Sequence, residues 1–237
     1  EVFDDEETLK RYSKDASLFE VRPKLVVYPK DSEDLQNLVM WVGDNKLKDP
    51  SLSVTVRAAG SCMSGGSLNE SIIADITKHM NGMGDIENNS IVTQTGVFYR
   101  DFEVKTLEKS LILPCFTASK NLNAMGGMIG NNSGGEKTLR YGKMENFVLE
   151  SKVIFADGVE RVVRPLNKLE LDAKIARGGF EGKLYESLLN LIENNKQLIG
   201  QAKPHVSKNS AGYYLWNVWN SNIFDLNKLI VGSQGTL

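Results

Sequence analysis

At 237 residues, 41% hydrophobic and 24% charged, the chain is long enough to bury a real core and has the composition of an ordinary globular protein. Its 28 Lys and Arg against 30 Asp and Glu leave a net charge of −2, which excludes the basic surplus of a nucleic-acid binder and the acidic excess of a disordered tail. Two cysteines, Cys62 and Cys115, exclude a disulfide framework and a four-ligand thiolate zinc site, and no apolar run reaches the ~18 residues of a membrane span.

In chain order, residues 1–22 read as a charged lead-in; its acidic run, Asp4 to Glu7, is expected to be a solvated face rather than a metal cluster. Residues 24–28 read as a strand closed by Pro29. Asp31 and Ser32 before Glu33 and Asp34 mark a helix start, and Leu35, Leu38, Val39 and Val42 form one apolar stripe. The β-branched runs 53–58 and 71–76 read as strands joined by a glycine loop, and strand, helix, strand at this spacing predicts a parallel βαβ unit. Strands are expected at 91–95, 111–113, 147–155 and 159–163, the last two joined by an Asp157-Gly158 hairpin turn. Residues 167–182 read as a mobile insertion, 181–198 as a helix with Leu184, Tyr185, Leu188, Leu189 and Ile192 on one face, and 229–231 as a final strand.

The glycines bunch where chemistry is expected. Residues 57–67 read Arg-Ala-Ala-Gly-Ser-Cys-Met-Ser-Gly-Gly-Ser. Small residues let a backbone approach a ligand, and successive N–H groups can cradle an anion. Residues 126–135 hold five glycines with Asn131, Asn132 and Ser133. Two such loops suit a large, multiply charged cofactor such as a dinucleotide. Neither has the Gly-x-Gly-x-x-Gly spacing of a Rossmann turn, and no Walker P-loop is present.

Taken in order, these segments resemble the FAD-linked oxidases of the vanillyl-alcohol oxidase and p-cresol methylhydroxylase (PCMH) type. The opening Arg22-Pro23 to Pro29 with the helix after it, the 57–66 loop, Asp75 to Asn81, Gly96-Val97, residues 114–135, Arg140 to Gly142, Asn146 to Val148, the 153–158 hairpin and the closing Gly-Ser-Gln-Gly-Thr-Leu of 232–237 are similar to that family's motifs in register. The stretch 203–215 resembles the branch of FAD-dependent 2-hydroxy-acid dehydrogenases, including the D-lactate dehydrogenase and glycolate oxidase D-subunit types. Departures are Ala58 for Gly, Phe116-Thr117 for Asp-Pro, Ala124 for Thr and Gln234 for Glu.

The resemblance implies an α+β fold, a PCMH-type FAD-binding domain of two α/β subdomains, here expected to be C-terminally truncated with the substrate domain absent. The first subdomain is expected over 1–90 and the second over 91–237, with an insertion around 164–227. FAD would lie between them. Ala59, Gly60, Ser61, Cys62, Met63 and Ser64 would hold its pyrophosphate through main-chain N–H groups. Pro114, Thr117, Ser119, Gly126, Gly127, Gly130, Asn132 and Ser133 would line flavin and ribose, and Val153 would offer backbone hydrogen bonds to adenine.

Ser61 and Lys120 occupy the positions where bicovalent relatives carry the His and Cys that bind flavin, which implies non-covalent FAD. Met125, Met128 and Met144 are expected against a flavin ring or in the core, and Trp216 and Trp219 as an anchor or an exposed remnant of a domain interface. The expected function is the FAD-binding part of an oxidoreductase that takes a hydride from a 2-hydroxy acid, inactive as this piece alone. The alternatives are a UDP-N-acetylmuramate-forming reductase of the same fold and a non-catalytic, degenerate binding module. Expected partners are FAD and, through the missing domain, a small organic acid, with no nucleic acid and no transmembrane segment. The cysteine usage fits a reducing compartment, so a cytoplasmic location is expected, or a membrane-peripheral one for the intact protein.

Overall fold

The computed structural model describes residues 1–206, 209 and 212–236. Residues 207, 208, 210 and 211 of the 203–215 stretch, and Leu237 of the terminal motif, lie outside the described residues. The chain begins with β1 (Val2–Phe3), α1 (Glu6–Tyr12), β2 (Leu25–Val27), α2 (Ser32–Asn45), β3 (Val54–Arg57) and β4 (Ile72–Asp75). These build a four-stranded sheet in the order β1-β2-β4-β3, with β1 antiparallel to β2 and the other neighbours parallel. All four residues of β4 are buried: the apolar Ile72-Ile73-Ala74 run is covered on both faces, and Asp75 accepts from the Tyr12 and Thr77 hydroxyls.

The period-two alternation of β2 sorts the covering helices. Val26 packs with Leu9, Tyr12 and Ile73 on the α1 side, whereas Val27 packs with Ile72, Ala74, Leu35, Leu38 and Val42 on the α2 side. The lead-in is therefore structured. Asp5 caps α1 by accepting from the Thr8 N–H at 2.9 Å, and Glu6 pairs with Arg22, so the acidic run serves capping and ion pairing. The predicted βαβ strands are parallel but not neighbours, because β4 lies between them.

β5 (Met83–Glu87) and β6 (Ser90–Thr93) form a hairpin, followed by α3 (Tyr99–Leu107), α4 (Met125–Gly130), α5 (Thr138–Tyr141) and a 3-10 turn at Met144–Asn146. They surround a second core of Val97, Tyr99, Phe102, Cys115, Met125, Met128, Met144 and Val231. Met83 and Ile91 pack against it from the two strands of the hairpin. A boundary between residues 90 and 91 would fall inside β6 and part the two strands, so the hairpin goes with the second core. Leu111 to Leu113, expected as a strand, is irregular chain held by the Tyr99 hydroxyl donating to the Leu113 carbonyl at 3.2 Å.

The rest comprises β7 (Ser151–Ile154), β8 (Glu160–Val163), β9 (Leu166–Asn167), α6 (Lys168–Ala176), α7 (Gly179–Asn194), α8 (Lys196–Ala202), α9 (Leu215–Val218), β10 (Ile223–Phe224) and α10 (Asn227–Ile230). The β7–β8 hairpin turns through Gly158 at φ +73°, as the Asp157-Gly158 pair predicts. The expected insertion has its own core of Val163, Leu166, Leu171, Tyr185, Ile192, Val218, Phe224 and Leu226. Residues 167–182 are ordered helix: Asn167 and Glu170 form a reciprocal capping box at the start of α6. Asn195 divides the long predicted helix into α7 and α8. Residues 229–231 are the end of α10 and the residue after it, not a strand; three apolar residues carry no period of their own. Trp219 packs on Phe224 in this third core and Trp216 stacks on Tyr214, so neither tryptophan stands alone at the surface.

Candidate cofactor site

The first glycine loop leaves the carboxyl end of β3 and returns to the start of β4, its parallel neighbour. Ligands of parallel sheets collect outside such carboxyl ends. Gly60 and Gly65 adopt φ of +64° and +79°. Among the described residues, no acceptor takes the backbone N–H of any residue from Ala59 to Gly66. The loop is only partly covered, so these unbonded donors are not sealed in the core. The Ser61 hydroxyl is likewise without a partner among the described residues, while Cys62 Sγ and Ser64 Oγ lie 3.1 Å apart.

Arg57 lies beneath this row. It donates to the carbonyls of Lys14 at 2.8 Å and Tyr12 at 3.4 Å, and its guanidinium stands 5.0 Å from the Tyr12 ring centre. Burial depresses its pKa, against the pull of Tyr12, Asp75 and Asp15. An arginine remains a cation at any such shift, so a fixed positive charge backs the bare amides. Gly60 passes over it with no room for a side chain: a Cβ there would sit 2.5 Å from the guanidinium.

The second loop meets the first at α4. Residues 123–126 run along 95–99, with Met125 N–H donating to Val97 at 2.8 Å and Gly126 N–H to Thr95 at 2.7 Å. That placement leaves Gly127 opposite Ala58: a Cβ at 127 would touch only the Ala58 Cβ, at 4.0 Å. A Cβ at Gly130 would meet nothing within 4 Å. Ala58, the departure from glycine, is therefore accommodated.

The glycines of this loop divide into two kinds. Gly127 and Gly130 border open space. Gly134 and Gly135 are packed, since a Cβ would fall on the Thr138 hydroxyl and the Phe116 carbonyl respectively. Asn132, buried at φ +46°, accepts from the Glu145 N–H at 3.0 Å, and Ser133 is buried with its hydroxyl unpartnered among the described residues. Thr117 Oγ1 lies 2.9 Å from Ser119 Oγ and accepts from Asn123 at 2.8 Å, which ties both to the start of α4.

A third segment, left out of the predicted site residues, completes the cluster. Gly232 and Gln234 donate backbone N–H bonds to Ile129 and Gly130, both at 2.9 Å. A Cβ at Gly235 would lie 3.1 Å from the Gly66 carbonyl, and one at Gly66 3.3 Å from the Gln234 carbonyl. Residues 232–235 thus touch both loops at once. The signal was present in the closing glycine motif, but its place beside 57–66 is a matter of tertiary structure.

Two predicted residues are not brought to this cluster by the contacts described. Pro114 begins the turn into buried Cys115, and Val153 packs against the third core. Val153 faces Arg161 in the β7–β8 ladder, in the same alternating class as Phe155, whose N–H donates to Val159. Its own N–H is therefore spent on the hairpin. Met125, Met128 and Met144 are core residues rather than ring contacts. Cys115 is fully buried, its thiol pushed up to about 12 by desolvation and its Sγ 3.6 Å from Met144 Sδ. Lys120 is paired with Glu103 at 2.8 Å.

These donors fit a dinucleotide such as FAD: a row of unbonded amides beside a half-buried cation suits a pyrophosphate, and side-chain-free space at Gly127 and Gly130 suits a large planar or sugar group. None of residues 58–67, 114–135 and 232–236 is Asp, Glu or His, so no cradle side chain competes with phosphate as an anion or takes a proton. Among the described residues no group of three or more His, Cys, Asp or Glu could hold a metal, and no helix is long and apolar enough to cross a membrane.

Known proteins share this chain's sequence pattern and fold. The profile of the family described as FAD binding domain matches residues 23–164. The chain is 27% identical over 229 residues to a D-2-hydroxyglutarate dehydrogenase of Pantoea ananatis, covering 95% of this chain and 22% of that protein. It is 28% identical over 203 residues to glycolate oxidase subunit GlcD of Bacillus subtilis, covering 79% of this chain and 42% of that one. Among solved structures, 6-hydroxy-D-nicotine oxidase from Arthrobacter nicotinovorans superposes with a TM-score of 0.57 at 21% identity, covering 69% of this chain and 35% of that one. An alkyldihydroxyacetonephosphate synthase superposes with a TM-score of 0.58 at 17% identity over 68% of this chain and 33% of that one. These structures share the fold. The chain spans about a fifth to two fifths of the length of the curated relatives it matches.

Proposed function

The chain belongs to the FAD binding domain family, and from that premise we propose that it is the cofactor-binding part of a flavin-dependent oxidoreductase that oxidises a 2-hydroxy acid, with FAD held non-covalently. One observation carries the cofactor half of this reading: three glycine segments from separate parts of the chain meet around a loop whose amides bond to nothing else. Residues 59–66 bind the pyrophosphate through those amides, with Arg57 as the cation behind them. Gly127 and Gly130 leave room for the flavin and ribityl groups, and Ser61 and Ser133 offer free hydroxyls. Bound there, FAD would supply a two-electron acceptor for oxidation of the substrate's alcohol. Ser61 and the Glu103-paired Lys120 carry neither the imidazole nor the thiol of a bicovalent flavin link, which supports dissociable cofactor.

The substrate class rests on the relatives named D-2-hydroxyglutarate dehydrogenase and glycolate oxidase subunit. The cradle carries no Asp, Glu or His, so the base that takes the hydroxyl proton comes from elsewhere. The test is anaerobic mixing of D-2-hydroxyglutarate, D-lactate or glycolate with the FAD-loaded natural gene product and with the 237-residue chain. The gene product is expected to bleach at 450 nm with one of these acids, and the 237-residue chain with none, because positioning contributes about 7–11 kcal/mol of such a barrier. A gene product inert to all three acids would contradict the substrate class.

A further inference from the structure

A loop whose amides bond to nothing else must be held by other contacts. Fixing each backbone residue costs roughly 1–2 kcal/mol, and residues 59–66 make almost no bonds among themselves. Besides the 232–235 turn, a strap formed by residues 13–21 holds them, upstream of residue 23, where the family match begins. The strap closes on itself: Lys14 and Glu20 pair across it as an antiparallel bridge and an ion pair at 3.2 Å, and Val21 N–H donates to Ser13 at 2.9 Å.

Its bonds then reach the loop at successive points. Arg57 donates to the Lys14 carbonyl, Ala16 N–H donates to the Gly60 carbonyl at 3.1 Å, and the Phe19 ring lies against Gly65. Between them stands Asp15. It accepts from its own strap, through Ser17 N–H at 2.8 Å, and from the loop's far end, through the buried Ser67 hydroxyl at 3.0 Å. Burial works against the charge of this carboxyl, but the Ser17 and Ser67 bonds and the nearby Arg57 outweigh it and hold its pKa below the ordinary range. A carboxylate would repel a phosphate placed beside it, so Asp15 is suited to act through Ser67 rather than on a ligand.

We propose that the strap is an integral part of the cofactor site and that Asp15 is a positioning residue, holding Ser67 and with it the row of amides 59–66 in the unbonded arrangement that receives a dinucleotide pyrophosphate. This rests on the FAD reading above. The experiment compares wild type, Asp15→Ala, Ser67→Ala and the double variant in FAD titrations, with circular dichroism establishing the folded fraction at the same temperature. Alanine is used at residue 15 because an asparagine amide could still donate to the Ser67 hydroxyl, and Ser67→Ala is the second route to the same bond should Asp15→Ala not fold. Each folded single variant is expected to bind FAD about tenfold more weakly, as for loss of a hydrogen bond to a charged group, and the double variant no more weakly than the singles. A merely structural strap would lower the melting temperature and leave the affinity of the folded fraction unchanged. Folded variants within twofold of wild type, or losses that add in the double variant, would overturn the proposal alone. A wild type that takes up no FAD would overturn the cofactor reading and this proposal with it.

Discussion

Gly127 and Gly135 belong to the same glycine-rich loop and are expected to respond oppositely to substitution. Gly127 lies inside α4, outside the left-handed region, and an added side chain has only the Ala58 methyl before it. Valine there is no worse a helix former than glycine, so Gly127→Val is expected to leave the far-ultraviolet circular dichroism intact while filling the gap between α4 and the first loop and abolishing FAD binding. At Gly135 a methyl group would fall on the Phe116 carbonyl oxygen, a backbone atom that cannot swing away. Gly135→Ala is expected to destabilise the fold by about 1–3 kcal/mol, the usual range for overpacking. Chemical denaturation and FAD titration on both variants separate the two roles. A folded Gly127→Val protein with wild-type affinity would remove the second loop from the site.

The elements show why some of this fold was legible in the sequence and some was not. The α2 stripe at Leu35, Leu38 and Val42, the unbroken Ile72-Ile73-Ala74 run of β4 and the Asp157-Gly158 turn each carry a local signal, and each forms as that signal predicts. The β5–β6 hairpin escaped because its turn uses Asn88 and Asn89 in place of a glycine pair, at φ +49° and +59°. Both central residues of that turn need positive φ, which asparagine tolerates and other L-residues resist. Asn89→Ala is therefore expected to cost about 1–2 kcal/mol, read as a lower urea midpoint with unchanged slope, and Asn89→Gly to be neutral or stabilising. An alanine variant as stable as wild type would show that the turn bears no strain. In the site, the residues of both loops could be named from composition and motif, but the strap could not. Asp15, Ser17 and Ser67 are ordinary polar residues, and the separation of 52 positions between Asp15 and Ser67 leaves no local trace of their hydrogen bond.

Over the whole molecule, the chain partitions into a sheet with helices on both faces, a second core around α3 and α4, and a third, largely helical core between β8 and α10. The proposed cofactor cradle lies where the first two meet, at the carboxyl ends of β3 and β4, with the 232–235 turn closing on it after the third. No one part holds the site alone: the first supplies the amides and Arg57, the second the open glycines. The account accordingly predicts one cradle, assembled by tertiary contacts, that binds FAD without a covalent bond. The most direct test is to load the 237-residue chain with FAD, remove free flavin by gel filtration, and read the absorbance near 450 nm before and after acid precipitation. The account predicts about one flavin per chain, all of it released to the supernatant by acid. A colourless protein, or colour that stays with the precipitate, would contradict it.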